Sequence, residues 1–202
     1  MRLISLYGFY GIIRLLRDVI LTRFERFFLW KFKIRIIRRP AYIRGRKYIL
    51  LGDDFTSGVG LRLDAFSSHG GVCLEIGNNV EVNDYVHIGA INSIKIGNNV
   101  LIASKVFISD HNHGFYGLNE RHDDPLSIPK DRALSSLAVV IEDNVWLGEF
   151  VVVLPGVSIG TGSIIGSMSV VSKSIPPFSI AVGAPAKVIK KYNFEISKWE
   201  SV

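Results

Sequence analysis

The chain has 202 residues, 48% of them hydrophobic, enough for one well-buried domain with an appendage. Its single cysteine, Cys73, excludes an internal disulfide and fits a reducing compartment such as the cytoplasm. The net charge of +6 is unevenly placed: residues 1–47 hold thirteen Lys or Arg against Asp18 and Glu25, whereas residues 48–202 hold eleven basic and sixteen acidic residues. The basicity belongs to the first quarter, and the acidic remainder argues against a nucleic-acid partner.

In residues 1–47, Leu15, Leu16, Ile20 and Phe24 recur at near-helical spacing with Arg14, Arg17 and Arg23 between them, which predicts a cationic amphipathic helix. The longest uncharged run, Leu3 to Ile13, has eleven residues; a bilayer span needs about 20. No small-residue cleavage site follows it, so a signal peptide is not expected. Two readings stand. The segment is a peripheral anchor with its arginines on anionic headgroups, or a cap that closes one end of a β domain.

Beyond residue 70 the rhythm changes. Every sixth residue from Ile141 is aliphatic: Ile141, Leu147, Val153, Ile159, Ile165 and Val171. Two residues before each stand Val139, Val145, Val151, Val157, Ser163 and Ser169, aliphatic or small. An earlier tract runs through Ile76, Val82 and Ile88, slips by two residues, and resumes with Ile96, Ile102 and Ile108. Neither an alternating strand nor an amphipathic helix gives a period of six. Short strands joined by tight turns do, each hexad making one face of a coil with its aliphatic residue inward. "IGNNV" at 76–80 and again at 96–100 supplies Gly and Asn, which tolerate positive φ.

This repeat resembles the hexapeptide of the left-handed parallel β-helix acyltransferases, in which three hexads make a triangular coil and three subunits associate. The likeness covers roughly residues 50–192. "LIASKVFISDHNHG", "VWLGEFVVVLPGVSIG" and "SIPPFSIAVGAPAKVIKKY" are similar to the maltose and galactoside O-acetyltransferases. The whole chain, with "YGFYGIIRLLRDVILT" and "FTSGVGLRLDAF", looks closer still to bacterial acetyltransferases of O-antigen and other surface-polysaccharide biosynthesis. The expected architecture is mainly β: a basic N-terminal helical segment over 1–47, a hexapeptide β-helix over 48–192 with a loop excursion at 110–136, and a short helical tail over 193–202.

The resemblance implies direct acetyl transfer from acetyl-CoA to a sugar hydroxyl, with a histidine as general base and no metal. Histidine suits this task because its ordinary pKa of about 6.5 leaves it largely neutral at cytosolic pH. An ungapped count from "LIA" places the base on His113; His111, two residues earlier, takes the role if the register slips. The same count puts Asn83 where the family keeps an asparagine near the acceptor. Asp110 is placed to fix the tautomer of one imidazole. The excursion after His113 offers Tyr116, Arg121 and His122 as sugar contacts.

For the cofactor, the likeness implies Trp146 near the thioester, Gly148, Ser167 and Ser172 along the pantetheine, and Lys173, Lys187 and Lys190 toward the nucleotide phosphates. Cys73, in an ordinary hexad, is expected in the core rather than as a nucleophile. The implied partners are a sugar acceptor, free or lipid-linked, two further copies of the chain as a homotrimer, and an anionic membrane surface met from the cytoplasmic side. Since the repeat specifies a fold and not a function, two other readings remain. One is a γ-class carbonic anhydrase-like zinc site drawing on His87, His111, His113 and His122. The other is a non-catalytic, membrane-associated scaffold.

Overall fold

A computed structural model describes residues 2–29, 34–117 and 122–202. A helix, α1 (Arg2–Leu29), leads into short parallel strands that wind as a three-sided coil. The first face carries nine strands, from Ile36–Ile37 to the C-terminal Lys198–Ser201. The second face has six, from Ala41–Arg44 through Leu61–Ala65, His87–Ala90 and Phe107–Ser109 to Val170–Val171, and the third has five. Successive coils therefore lie one strand spacing apart, about 4.8 Å.

The hexads point where their period predicts. Ile76, Ile96, Ile141 and Ile159 fill the third face from inside; Val82, Ile102, Leu147 and Ile165 the first; Ile88, Ile108, Val153 and Val171 the second. All of them are at most 3% exposed. Each such burial contributes roughly 1.5–3 kcal/mol, so one continuous aliphatic column holds the prism together.

"IGNN" is explained atom by atom at the corner between the third and first faces. A Cβ on Gly77 would lie 2.6 Å from the Gly97 carbonyl oxygen, so only glycine lets the coils stack there. The first asparagine of each pair ties coil to coil: Asn78 Oδ1 accepts the Asp53 amide at 2.8 Å, and Asn98 Oδ1 accepts the Asn78 amide at 2.9 Å. The second, Asn79 or Asn99, takes a left-handed φ of 53° or 56°.

Two boundaries differ from the sequence reading. The first coil begins at Ile36–Ile37, which pairs with Thr56–Ser57, rather than at residue 48. The arginines and lysines interleaved with Ile36, Ile37 and Ile43 mask that coil in the sequence. The expected helical tail at 193–202 is instead a strand, Lys198–Ser201, antiparallel to Lys187–Asn193. Tyr192 sits opposite Trp199 with ring centroids 5.2 Å apart, and Phe194 meets Tyr192 and Phe178 edge-on. These cross-strand aromatic contacts outweigh local helix preference.

The helix docks on the first coil through a polar seam. The Thr22 hydroxyl accepts from the Ile37 amide at 3.0 Å, buried Asp18 accepts from the Arg39 amide at 3.2 Å, and Arg39 pairs with Glu25 at 2.8 Å. The opposite stripe is apolar and faces outward, with Phe9, Ile13, Leu16 and Ile20 76%, 47%, 56% and 65% exposed. Among the described residues no helix is long and apolar enough to cross a membrane.

Candidate active site

The coil is interrupted once by a slip and once by an excursion, and the two interruptions meet. The two-residue slip between Ile88 and Ile96 forms the turn 91–93, whose backbone amides point at one buried carboxylate. Asp110 accepts from the amides of Ile91 at 3.0 Å, Asn92 at 2.8 Å and Ser93 at 2.8 Å. It also accepts from Nδ1 of His111 at 2.9 Å. Burial pushes the Asp110 pKa up, but the bonds from His111 and these amides outweigh it and hold the carboxyl below its usual range. An ionised carboxylate only accepts, so the His111 proton sits on Nδ1 and Nε2 is left as the acceptor. The ring lies across Gly89, where a Cβ would come within 3.4 Å of Cε1.

His111 and His113 open the excursion as the strand His111–His113, antiparallel to Leu134–Ser136. Both line a cavity of about 630 Å³ on the second face, together with Arg44, Arg62, Asp64 and His87. They differ in support. The imidazole of His111 is fixed by Asp110 and flanked by the Ser109 hydroxyl at 3.3 Å, whereas that of His113 is exposed and its backbone carbonyl takes the Tyr116 hydroxyl.

Sequence reasoning missed the base of this cavity. Asp64 takes a bidentate pair from Arg44 at 2.6 and 2.7 Å, a bond from Arg62 at 2.7 Å and one from His87 at 3.1 Å. Burial raises the Asp64 pKa, yet the bonds from Arg44, Arg62 and His87 bring it down to about 2. His87 is pushed down by burial, against the pull of Asp64. The available signal was the alternation "RLD" at 62–64, which sends Arg62 and Asp64 to the same outer side of a strand. Arg132 was missed as well: it bonds Ser127, the Pro125 carbonyl and the Tyr116 hydroxyl, tying the excursion together.

The remaining expected residues fall into separate places. Asn83, Gly148 and Ser167 follow first-face strands, at the corner leading to the second face, with Trp146 47% exposed on the strand just before. A Cβ on Gly148 would lie 2.7 Å from the Ser167 amide, so these two are in contact. Ser172 and Lys173 follow the strand Val170–Val171 at the next corner, the one His111 occupies some coils away. Lys187 and Lys190 lie on the hairpin strand paired with Ser179–Val182. Tyr116 lines a different, smaller cavity of about 360 Å³ with Asn112 and Phe115; His122 is exposed on the excursion, and Arg121 lies outside the described residues. Within one chain, then, the histidines and the Asn83–Trp146 group sit at opposite edges of the second face.

Cys73 is 2% exposed, and burial pushes its thiol up to about 11, which suits a core residue and not a nucleophile. His87, His111 and His113 share a cavity, but His87 Nε2 faces Asp64 and His111 Nδ1 faces Asp110. Among the described residues no three His, Cys, Asp or Glu side chains converge to hold a metal ion.

A three-sided coil of hexads is the architecture of one class, the left-handed β-helix acyltransferases. Comparison with known proteins gives the family. Residues 138–173 match the bacterial transferase hexapeptide (six repeats) model. The chain is 54% identical, over 99% of its own length and 98% of the relative's, to a protein of Escherichia coli (strain K12) provisionally described as the lipopolysaccharide biosynthesis O-acetyl transferase WbbJ. A maltose O-acetyltransferase from Clostridium difficile 630 superposes with TM-score 0.57 and 28% identity, covering 72% of this chain and 71% of that one. A galactoside acetyltransferase in complex with coenzyme A superposes with TM-score 0.52 and 32% identity, covering 70% and 67%. The chain belongs to the hexapeptide-repeat acetyltransferases and is an acetyl-CoA-dependent O-acetyltransferase.

Proposed function

We propose that this enzyme acetylates a sugar hydroxyl of a bacterial surface polysaccharide, with His111 as the general base. The observation that carries the assignment is the Asp110–His111 pair at 2.9 Å, with the carboxylate buried and held by three backbone amides. Nε2 of His111 takes the proton of the acceptor hydroxyl as that oxygen attacks the thioester carbonyl of acetyl-CoA. The tetrahedral intermediate then collapses, the C–S bond breaks, and the proton passes to the departing thiolate, so no acetyl-enzyme forms. Asp110 is a positioning residue that fixes the tautomer. The similarity to WbbJ supports lipopolysaccharide as the destination of the acetylated sugar.

Asn83, Trp146, Gly148 and Ser167 meet the histidine when a neighbouring copy presents its first-to-second corner to the second face of this one. A homotrimer supplies that contact three times, and the thioester lies in the groove between copies with Ser172, Lys173, Lys187 and Lys190 toward the nucleotide. The test is thiol release from acetyl-CoA with a panel of sugars. Acceptor-dependent release lost in His111→Ala but retained in His113→Ala is the expected outcome; the reverse would move the base to His113.

The helix holds the enzyme at the cytoplasmic face of an anionic bilayer. Its apolar stripe is turned away from the prism, and Arg14, Arg17 and Arg23 flank it, which complements acidic headgroups. Leu16→Asp with Ile20→Asp leaves the polar seam intact and should abolish co-sedimentation with phosphatidylglycerol vesicles. Unchanged sedimentation would remove the membrane, and a concentration-dependent change in mass in its place would assign the stripe to a second copy.

A further inference from the structure

The second face carries a charged cluster that acetyl transfer to a neutral sugar does not use. The strands Phe107–Ser109, His87–Ala90, Leu61–Ala65 and Ala41–Arg44 lie side by side, in registers that align Phe107, His87, Arg62 and Tyr42 in one row and Ser109, Gly89, Asp64 and Arg44 in the next. Arg62 and Asp64 are therefore two strand spacings from the strand that delivers His111, roughly 10 Å along the face. That is the reach of a sugar ring and the group attached to it.

Two guanidiniums converge on one carboxylate, leaving a net positive charge, and Asp64 is the one carboxylate among the described residues lining the cavity. Both arginines remain half-exposed, at 52% and 47%. Asp64 engages Nε and Nη2 of Arg44 but only Nε of Arg62, so the outer N–H groups of Arg62 and Nη1 of Arg44 point away from it. A second opening, of about 650 Å³, lies on the far side of the same two arginines, lined by Tyr42 and Ile43. The pair thus stands between the histidine cavity and an exit toward the helix end of the prism. Asp64 holds both forks in place and leaves donors spare, as an anion clamp requires.

We infer that Arg44 and Arg62 bind a phosphate or diphosphate on the acceptor, so that the substrate is a glycosyl phosphate whose sugar reaches His111 and whose carrier leaves past Tyr42. This deepens the sugar-acetylation reading and rests on it. The carrier is a nucleoside or a lipid, and the chemistry seen by the arginines is the same.

The experiment measures KM for matched acceptors carrying one sugar: free, as the 1-phosphate, as the nucleoside diphosphate, and as the polyprenyl diphosphate in detergent. In the native enzyme the KM of a phosphorylated acceptor should fall roughly tenfold or more below that of the free sugar. Arg62→Gln and Arg44→Gln should bring that ratio toward one, with Arg62→Lys intermediate because charge survives without the fork. The lower KM of the two diphosphates identifies the carrier. Equal KM values for free and phosphorylated sugar in the native enzyme would overturn the inference. Calorimetric titration of inorganic pyrophosphate judges the clamp without turnover. Binding to the native chain that Arg62→Gln removes and Arg62→Lys partly keeps, with both variants still folded by circular dichroism, supports it even if no tested sugar is acetylated, an outcome that counts only against the sugar reading. No pyrophosphate binding to the native chain overturns the clamp whatever the acetylation assay shows.

Discussion

From Val139 to Val171 the coil never loses phase, and from Ile88 to Val139 it loses phase twice. Both stretches bury their hexad aliphatics equally well, since Ile88, Ile102, Ile108, Leu147, Val153 and Ile165 are all 0% exposed. What differs is the backbone between them. A regular coil has six residues per face and no slack, so its amides are spent on the neighbouring coil. The slipped coil has two residues more, and the turn they form turns three amides onto Asp110. The regular stretch is a scaffold with an exposed tryptophan and small-residue corners, and the broken stretch makes a held histidine.

The sharpest way to break that contrast is to remove the histidine. His111→Ala should lower kcat by about 10²–10⁴-fold, the range for loss of a general base, with acetyl-CoA binding retained. If His113→Ala gave the larger loss, the buried dyad would be structural. Next in size is a change in the regular stretch. Leu147→Ala should cost about 2–5 kcal/mol of stability, seen as a lower denaturation midpoint with an unchanged slope. A cost below that range would mean that the column collapses around the gap and the regular coils are softer than their packing indicates.

Acid separates the regions as well. Asp64 and Asp110 both titrate lower in the folded chain than their unfolded values near 4. Their contribution is complete above that range and drains as pH falls through the folded values, about 2 for Asp64. Both lie on or beside the second face around the cavity. Hydrogen-exchange protection, taken against the intrinsic rate at each pH between 4 and 2, should therefore fall first at residues 61–65 and 89–93, before the strands at 146–165. Uniform loss of protection would show that the carboxylates do not set the acid limit.

The prism was legible because each hexad carries its own information. A period of six appears within the sequence, and "IGNN" names its corner by residue type alone. The coil at residues 34–44 was hidden because the charges among its isoleucines read as part of the basic helix, and the terminal hairpin because its aromatic contacts join residues across a turn. The functional chemistry was visible by type: "SDHNH" gives a carboxylate and two imidazoles. Which imidazole the carboxylate holds was not resolvable by register, because the other partners of Asp110 are backbone amides from the preceding coil, supplied by a slip that the sequence shows only as a missed beat. Arg44, Arg62 and Asp64 stayed unread for a related reason: Arg44 lies one strand away from the other two, and strand register assembles the group.

The smallest effect tests the corners against each other. At the third-to-first corner the non-glycine left-handed positions are Asp54, Asn79, Asn99 and Asn144, with Phe178 alone bulky and packed edge-on against Phe194, and Asn79 Nδ2 donates to Asn99 Oδ1 at 2.9 Å. At the first-to-second corner they are Tyr85, Lys105, Phe150 and Met168, with φ of 58°, 61°, 57° and 61°. Bulky residues are costly in that conformation, by roughly 1–2 kcal/mol where asparagine is tolerated, and Tyr85, Phe150 and Met168 are 59%, 43% and 72% exposed. A corner that keeps strained, exposed aromatics is explained if a neighbouring copy covers it. Phe150→Asn relieves strain but loses the Lys105 ammonium over its ring at 4.7 Å, worth about 0.5–1 kcal/mol at an exposed site. The relieved strain equals or exceeds the lost contact, so chain stability measured below the assembly concentration should hold or rise, by at most about 1.5 kcal/mol. The assembly itself should dissociate at higher concentration than the native one, read by mass at graded dilution. If assembly is unaffected and only stability changes, the corner faces solvent and the groove between copies lies elsewhere.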